Sequence, residues 1–274
     1  MGDPRLRRPT LLVSLLVLTM FALAAIFADR LAPYDPIHVF RDAALEPPGP
    51  RFLLGTDAIG RDLLSRILFG ARVSLTTGVV AVGIALSVGT TLGLLAGYAG
   101  GWTDALIMRT ADILLAFPGI LLAIGIVAIL GPGLTNVMIA VGVAAIPVYV
   151  RTVQAATLAV SQLDFIVAAR SVGVPPRRIV VRHVLPNVMA PIIVLASVGM
   201  GTAILAAAGL SYVGLGAQPP TPEWGEMLAE ARDYMRDAWW LPTFPGIAIM
   251  LVVLAFNLTG DAVRDLLDPR LRGL

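Results

Sequence analysis

The chain has 274 residues, of which 57% are hydrophobic and 14% charged, with a formal net charge of +2. Soluble domains are about 25% charged, so a surface this poor in charge, with a mean hydropathy of +0.85, faces lipid over most of its area. Cysteine is absent, which excludes disulfides, thiol catalysis and cysteine metal sites. Every basic residue is arginine, which excludes Schiff-base chemistry and a phosphate-binding loop that needs its lysine on the phosphates. If ATP drives this protein, another chain binds it.

Leu11 to Ala28 is uncharged and just long enough, at about 1.5 Å per residue, to cross the hydrocarbon core. Arg5, Arg7 and Arg8 precede it and small residues follow, as in a signal peptide; a first membrane span is the preferred reading. Residues 29–72 form a Pro-rich loop. At its end, GRDLLSRILFGAR (60–72) places Leu63, Leu64, Ile67, Leu68 and Ala71 on one helical face and Arg61, Asp62, Ser65, Arg66 and Arg72 on the other. This pattern predicts an amphipathic helix lying at the membrane interface, with an Asp62–Arg66 pair at i, i+4. The second span is expected near 73–97. Gly89, Gly93, Gly97 and Gly101 recur every fourth residue and suit close helix packing, internal or against another subunit.

The uncharged run between Asp112 and Arg151 is too long for one helix and is broken at Gly131-Pro132-Gly133. Spans are expected near 105–130, kinked at Pro118-Gly119, and near 134–157. A fifth follows near 188–211 and a sixth near 241–260, separated by an acidic segment over 223–240. The pattern is an all-α polytopic membrane protein of six transmembrane helices. It divides into 1–72, holding the first span and the external loop with its amphipathic helix, and a core of five spans over 73–274. Arginine is enriched in the N-terminal tail and in 151–183, which the positive-inside rule places in the cytoplasm together with both termini. The 29–72 loop balances six arginines against six acids and does not support that bias.

The segment 164–187, DFIVAARSVGVPPRRIVVRHVLPN, reads as helix, turn, short helix. Gly173 stops the first helix and Pro175-Pro176 starts the second. The result is a compact basic knob between two spans. Taken by residue chemistry alone, a solvated basic loop accounts for it.

Ala168-Ala169, Gly173 and Leu185-Pro186 match, at the same spacing, the EAA loop of bacterial importer permeases, with Val167 standing where that pattern has glutamate. Leu54-Gly55-Thr56-Asp57 through Gly60-Arg61-Asp62 to Ser65-Arg66 is similar to a signature of the dipeptide, oligopeptide and nickel branch. So are Gly214-Leu215-Gly216-Ala217-Gln218-Pro219-Pro220 with Trp224-Gly225, and Asp268-Pro269-Arg270-Leu271-Arg272. The chain therefore resembles a permease subunit of that ABC importer family over about residues 54 to 272. The resemblance implies a heteromeric importer of the bacterial inner membrane. Its partners are a second homologous permease, two cytoplasmic ATPase subunits that bind the ATP, an extracytoplasmic substrate-binding protein and lipid, with no nucleic acid and no cofactor of its own. It also implies that Ala168, Ala169, Arg170, Gly173, Arg177, Arg178, Leu185 and Pro186 couple the chain to an ATPase subunit.

No catalytic or metal-binding residues emerge. A membrane-embedded enzyme would need paired catalytic groups at membrane depth, yet His38 and His183 fall in loops and there is no H-E-x-x-H. Arg109 and Asp112, near the inner end of the third span, are the nearest intramembrane charges and read as a local ion pair. Peptides are the expected cargo, with nickel or another small solute as the alternative.

Overall fold

The computed structural model describes residues 4–267. Five helical stretches are long and apolar enough to cross a membrane. They are α1 (Pro4–Ile26), α3 (Leu63–Ala99), α6 (Leu134–Ser161), the continuous stretch Pro176–Tyr212, and α11 (Trp240–Leu267). The short α2 (Ala28–Leu31) follows α1. Helices α4 (Gly101–Leu115) and α5 (Gly119–Leu130) meet at 91°. Twelve residues of α5 reach only about 18 Å, short of the ~30 Å hydrocarbon core, so the bent pair makes the sixth crossing only when counted together. The kink expected at Pro118-Gly119 is thus a full break.

The interfacial helix expected over 60–72 does not exist as a separate element. Asp62 caps α3, accepting from the Ser65 N–H at 2.8 Å, and the helix then runs through residue 72 to Ala99 without interruption. The boundary drawn at 72 falls inside it. Its supposed water-facing side is turned inward: Arg61, Asp62, Ser65 and Arg66 are all buried. Arg72 is half-exposed; its Nε donates to the Ala25 carbonyl at 2.8 Å and its Nη2 meets Asp29 at 2.7 Å, capping the end of α1. The Asp62–Arg66 pair is replaced by other partners, described below.

The α3–α6 seam is the most extensive helix contact in the fold. A Cβ on Gly89 would lie 2.4 Å from Tyr149 Cβ, on Gly93 2.7 Å from Val153 Cβ, and on Gly97 2.7 Å from Thr157 Cβ. Two stripes of i, i+4 spacing therefore interlock, glycine against side chain, as small residues permit in lipid. Gly101 lies outside this stripe, at the start of α4 with φ +54° and open space around it. Around the seam, α9 (Leu185–Tyr212) packs against α3, α6 and α11, and α1 lies against α11 and α3. Residues such as Leu12, Leu16, Ile129 and Leu205 point outward, as lipid-facing positions do.

This seam has little room to adjust. Gly93→Leu drives side-chain atoms into Val153 and the Val150 carbonyl, 2.8 Å from a Cβ at that position, and is expected to cost at least about 2 kcal/mol. Gly83→Leu, on an open face of the same helix with nothing within 4 Å, is expected to leave stability unchanged. Thermal unfolding of the purified variants in detergent checks the pair.

Candidate functional site

The basic segment between α6 and α9 is built on a turn that glycine makes possible. Helix α7 (Asp164–Ser171) ends with the Val174 N–H on the Ala169 carbonyl (3.1 Å) and the Gly173 N–H on the Arg170 carbonyl (3.0 Å), the paired bonds of a Schellman motif. Gly173 takes φ +78°, which a residue without Cβ adopts at little cost. Pro175 then precedes α8 (Pro176–Ile179), with Pro176 in the first turn, where its missing N–H is not needed. The knob is not separate from the fifth span, which was expected to begin near 188. A π turn over Val180–Val184, closed by the Leu185 N–H on the Val180 carbonyl, joins α8 to α9. The second helix of the knob is therefore the beginning of the fifth span.

Ile166, Ile179 and Val184 are fully buried, packed with Leu94 of α3, Val153 of α6 and Val188 of α9. Ala169 and Leu185 are half-buried against the same cluster. The Arg170 guanidinium lies 4.8 Å from the centre of the Tyr98 ring, a cation–π contact that ties α7 to the end of α3. Ala168, Gly173, Arg177, Arg178 and Pro186 are exposed. Between them stand Phe165, Val167, Val172 and Val181, all exposed, Val172 at 78%. The eight residues singled out by the sequence thus form one surface element, six exposed and two facing its core. An apolar patch rimmed by arginines on a firmly anchored scaffold has the character of a protein-docking surface.

Asp112 does not pair with Arg109. It meets Arg151 of α6 at 3.1 Å, both side chains about half exposed, and the Gln154 amide donates to Asp104 at 3.0 Å. These two contacts hold α4 along α6. Among α3, α5, α6 and α9 lies a cavity of about 480 Å³ lined by Val82, Ile120, Val141, Tyr149, Val198 and Gly199. Its lining is almost wholly apolar. Among the described residues no three His, Cys, Asp or Glu groups are placed to hold a metal ion.

The other end of the molecule holds a feature that the sequence reading missed. Arg61 pairs with Asp57 and donates to both carboxylate oxygens of Glu230 at 2.7 Å. Arg66 reaches Glu230 at 2.8 Å and Asp57 at 3.7 Å. Glu230 belongs to α10 (Trp224–Ala231), which the buried Glu223 caps by accepting from the Glu226 N–H at 2.9 Å. Trp224, fully buried, donates its indole N–H to the Ile67 carbonyl at 3.1 Å and sits over Gly70. The residues shared with the branch signature are the ones that build this clamp. Gly55 and Gly60 take φ +81° and +88° and lie against the Glu46 and Phe40 carbonyls, Thr56 accepts the Trp240 indole N–H on its carbonyl, and Ile59 is exposed. Gly214, at φ +82°, ends α9 with the same paired bonds seen at Gly173. The Asp268–Arg272 match lies outside the described residues. The available sequence signal was charge: an acid excess over 223–240, from which Glu230 pairs with two arginines of the otherwise balanced 29–72 segment.

Removing one partner of a buried pair strands the other. Glu230→Ala leaves two buried guanidiniums without their main carboxylate and is expected to destabilise the chain by about 3 kcal/mol or more. Ile59→Ala, half exposed beside the clamp, is the control expected to stay within about 0.5 kcal/mol. Melting temperatures of the two purified variants decide it.

Residues 89–273 match the family described as binding-protein-dependent transport system inner membrane component. Residues 6–48 match the N-terminal TM domain of oligopeptide transport permease C. The chain is 51% identical over 264 residues to the di/tripeptide transport system permease protein DppC of Pseudomonas aeruginosa, covering 94% of this chain and 87% of the relative. It is 49% identical over 261 residues to the dipeptide transport system permease protein DppC of Alkalihalophilus pseudofirmus, covering 95% and 86%. It is 50% identical over 259 residues to the glutathione transport system permease protein GsiD of Pectobacterium atrosepticum, covering 94% and 86%. A solved chain of the MetNI methionine ABC transporter, in an inward-facing conformation, shares the fold with a TM-score of 0.62 at 19% identity, covering 75% of this chain and 98% of that one. Permeases of this kind work with ATPase and substrate-binding partners and carry out transport rather than covalent chemistry. With its apolar helices, its ordered signatures and these relatives, the chain belongs to the binding-protein-dependent transport system inner membrane components, as a multi-pass permease of an ABC importer.

Proposed function

We propose that this permease forms half of the translocation path of a peptide importer and that the 164–187 segment is where an ATPase subunit docks. The observation that carries the docking reading is the exposed patch of Val167, Val172 and Val181 with Arg177, Arg178 and Arg182, held on a fully buried anchor of Ile166, Ile179 and Val184. A second homologous permease supplies the other half of the path, two ATPase subunits bind the ATP on the cytoplasmic side, and an extracytoplasmic protein delivers substrate. The chain itself binds no nucleotide or other cofactor. Both termini and the basic segment face the cytoplasm, and the clamp around Glu230 faces outward. Relatives at about half identity that are named for di/tripeptides, dipeptides and glutathione support a small-peptide cargo.

The physical route for the movement is the stretch Pro176–Tyr212. Its 37 residues extend about 55 Å, and the helical path is unbroken from the knob to the neighbourhood of α10. A displacement of the knob moves this rod as one body against α3 and α6, a rigid-body transition of the kind packed helices support. Val167, where the family pattern has glutamate, removes one ionic anchor and leaves an apolar side chain in the patch; Arg170, Arg177 and Arg178 supply the charge.

Gly173 is the position that tests this. A Cβ there meets nothing within 4 Å, so the penalty of a substitution is the backbone alone. Gly173→Val carries about 1–3 kcal/mol of strain at this positive φ and is expected to abolish co-purification of the ATPase subunits and peptide uptake at an unchanged membrane level. Gly173→Asn, tolerated in this conformation, is expected to retain both. Full uptake by the valine variant rules the segment out as the coupling element.

A further inference from the structure

The clamp holds more carboxyl groups than its arginines neutralise. Among the described residues, Asp57, Asp62, Glu223, Glu226 and Glu230 gather around only two guanidiniums, those of Arg61 and Arg66. Both guanidiniums bond to Asp57 and Glu230, and the Nη1 of Arg66 is buried without a hydrogen-bond partner. Asp62 is satisfied by the Ser65 N–H and hydroxyl, and Glu223 by the Glu226 N–H and the Ser74 hydroxyl. Glu226 is left over. Its residue is 5% exposed, and its Oε2 is buried with no hydrogen-bond partner. An ionised oxygen in that position bears the cost of a buried charge with no hydrogen bond, offset only in part by the nearby guanidiniums, whereas a protonated carboxyl does not.

We infer that Glu226 is a proton-binding site, and that the proton it takes up inside the clamp strengthens the hold of α10 on the beginning of α3. The groups facing it are Glu223 and Glu230 from its own segment, Arg61 and Asp57 from the loop before α3, and Arg66 from α3. Ser211 of α9 reaches this group through Glu223, while the first turns of α11 bring Trp240 and Leu241, which carry no charge. Burial, and then the charge of Glu230, push the Glu226 carboxyl up from 4.5 to about 7, against the opposing pull of Arg66 and Arg61. Burial also raises Glu223. A carboxyl whose folded-state value lies above its unfolded one binds its proton more tightly when folded. Its stabilising contribution is complete below about pH 4.5 and is lost as the pH rises through about 7. Acidification on the clamp's side of the membrane therefore tightens the joint between α10 and the beginning of α3.

The test uses the full chain in lipid nanodiscs and does not depend on the cargo or on the ATPase subunits, so it separates from the transport reading. Thermal unfolding is followed from about pH 5 to about pH 8 for the native protein and Glu226→Gln, an uncharged replacement of the same shape. The native melting temperature is expected to fall relative to the variant by on the order of 5 °C across this range. Infrared difference spectra should show a buried protonated-carboxyl band in the native protein that disappears with a midpoint near neutrality and is missing from Glu226→Gln, or shifted in Glu226→Asp should the glutamine variant fail to fold. Parallel melting profiles, or a native protein with no such band at about pH 5, overturn the proposal.

Discussion

The glycine stripe of α3 sets the distance at which α6 lies, and the rest of the molecule depends on that distance. Gly89, Gly93 and Gly97 each leave no room for a methyl group against Tyr149, Val153 and Thr157. In lipid there is little hydrophobic drive to bring helices together, so close van der Waals contact supplies the association. Once α3 is fixed in this way, both of its ends are placed. Its C-terminal end presents Leu94 and Tyr98 to the basic segment, where Ile166, Ile179 and Arg170 close on them. Its N-terminal end presents Ser65, Arg66 and Gly70 to the folded loop and to α10. One 37-residue helix thus connects the basic segment to a buried ionic clamp at its opposite end.

The two ends use different physics for the same task of fixing a short helix. At the C-terminal end of α3, α7 and α8 are held by apolar burial and by Arg170 stacked on Tyr98, and Arg177 and Arg178 are left exposed. At the N-terminal end of α3, α10 is held by charge. Arg66, at 1% exposure, is stable there only because Asp57 and Glu230 meet it, and breaking such a pair costs far more than the pair contributes when intact. An apolar joint with free arginines suits a surface that a partner engages. A joint of mutually dependent charges suits a position that has one permitted geometry, and its surplus carboxyl makes it responsive to protons.

Much of the fold is legible in the residue pattern, because a helix in lipid must be apolar and uninterrupted. The spans around α1, α6, α9 and α11 follow from this, as does the glycine stop at 173, where a positive φ was required. The misreading at 60–72 has a definite cause. Helical spacing shows that Arg61, Asp62, Ser65 and Arg66 share a face, but not whether that face meets water or a second set of charges 160 or so residues away, such as Glu230 at a separation of 164 from Arg66. Periodicity is local and charge complementarity is not. For the same reason Asp112 was matched with its neighbour Arg109, when its partner Arg151 lies on another helix. The π turn at Val180–Val184 was equally hidden, since it arises where α8 and α9 join ahead of Pro186, a residue with no N–H to donate.

The central claim is that the arginine-rimmed apolar patch over 164–187 is the face an ATPase subunit engages, at the opposite end of the fifth span from α10. Photo-crosslinking from a benzoylphenylalanine placed at Val172 or at Met235, both exposed and at opposite ends of that span, measures it directly in intact membranes. The account predicts a crosslink to an ATPase subunit from position 172 and none from position 235. A crosslink from 235 of equal yield, or none from 172 in assembled and transporting complexes, would contradict it.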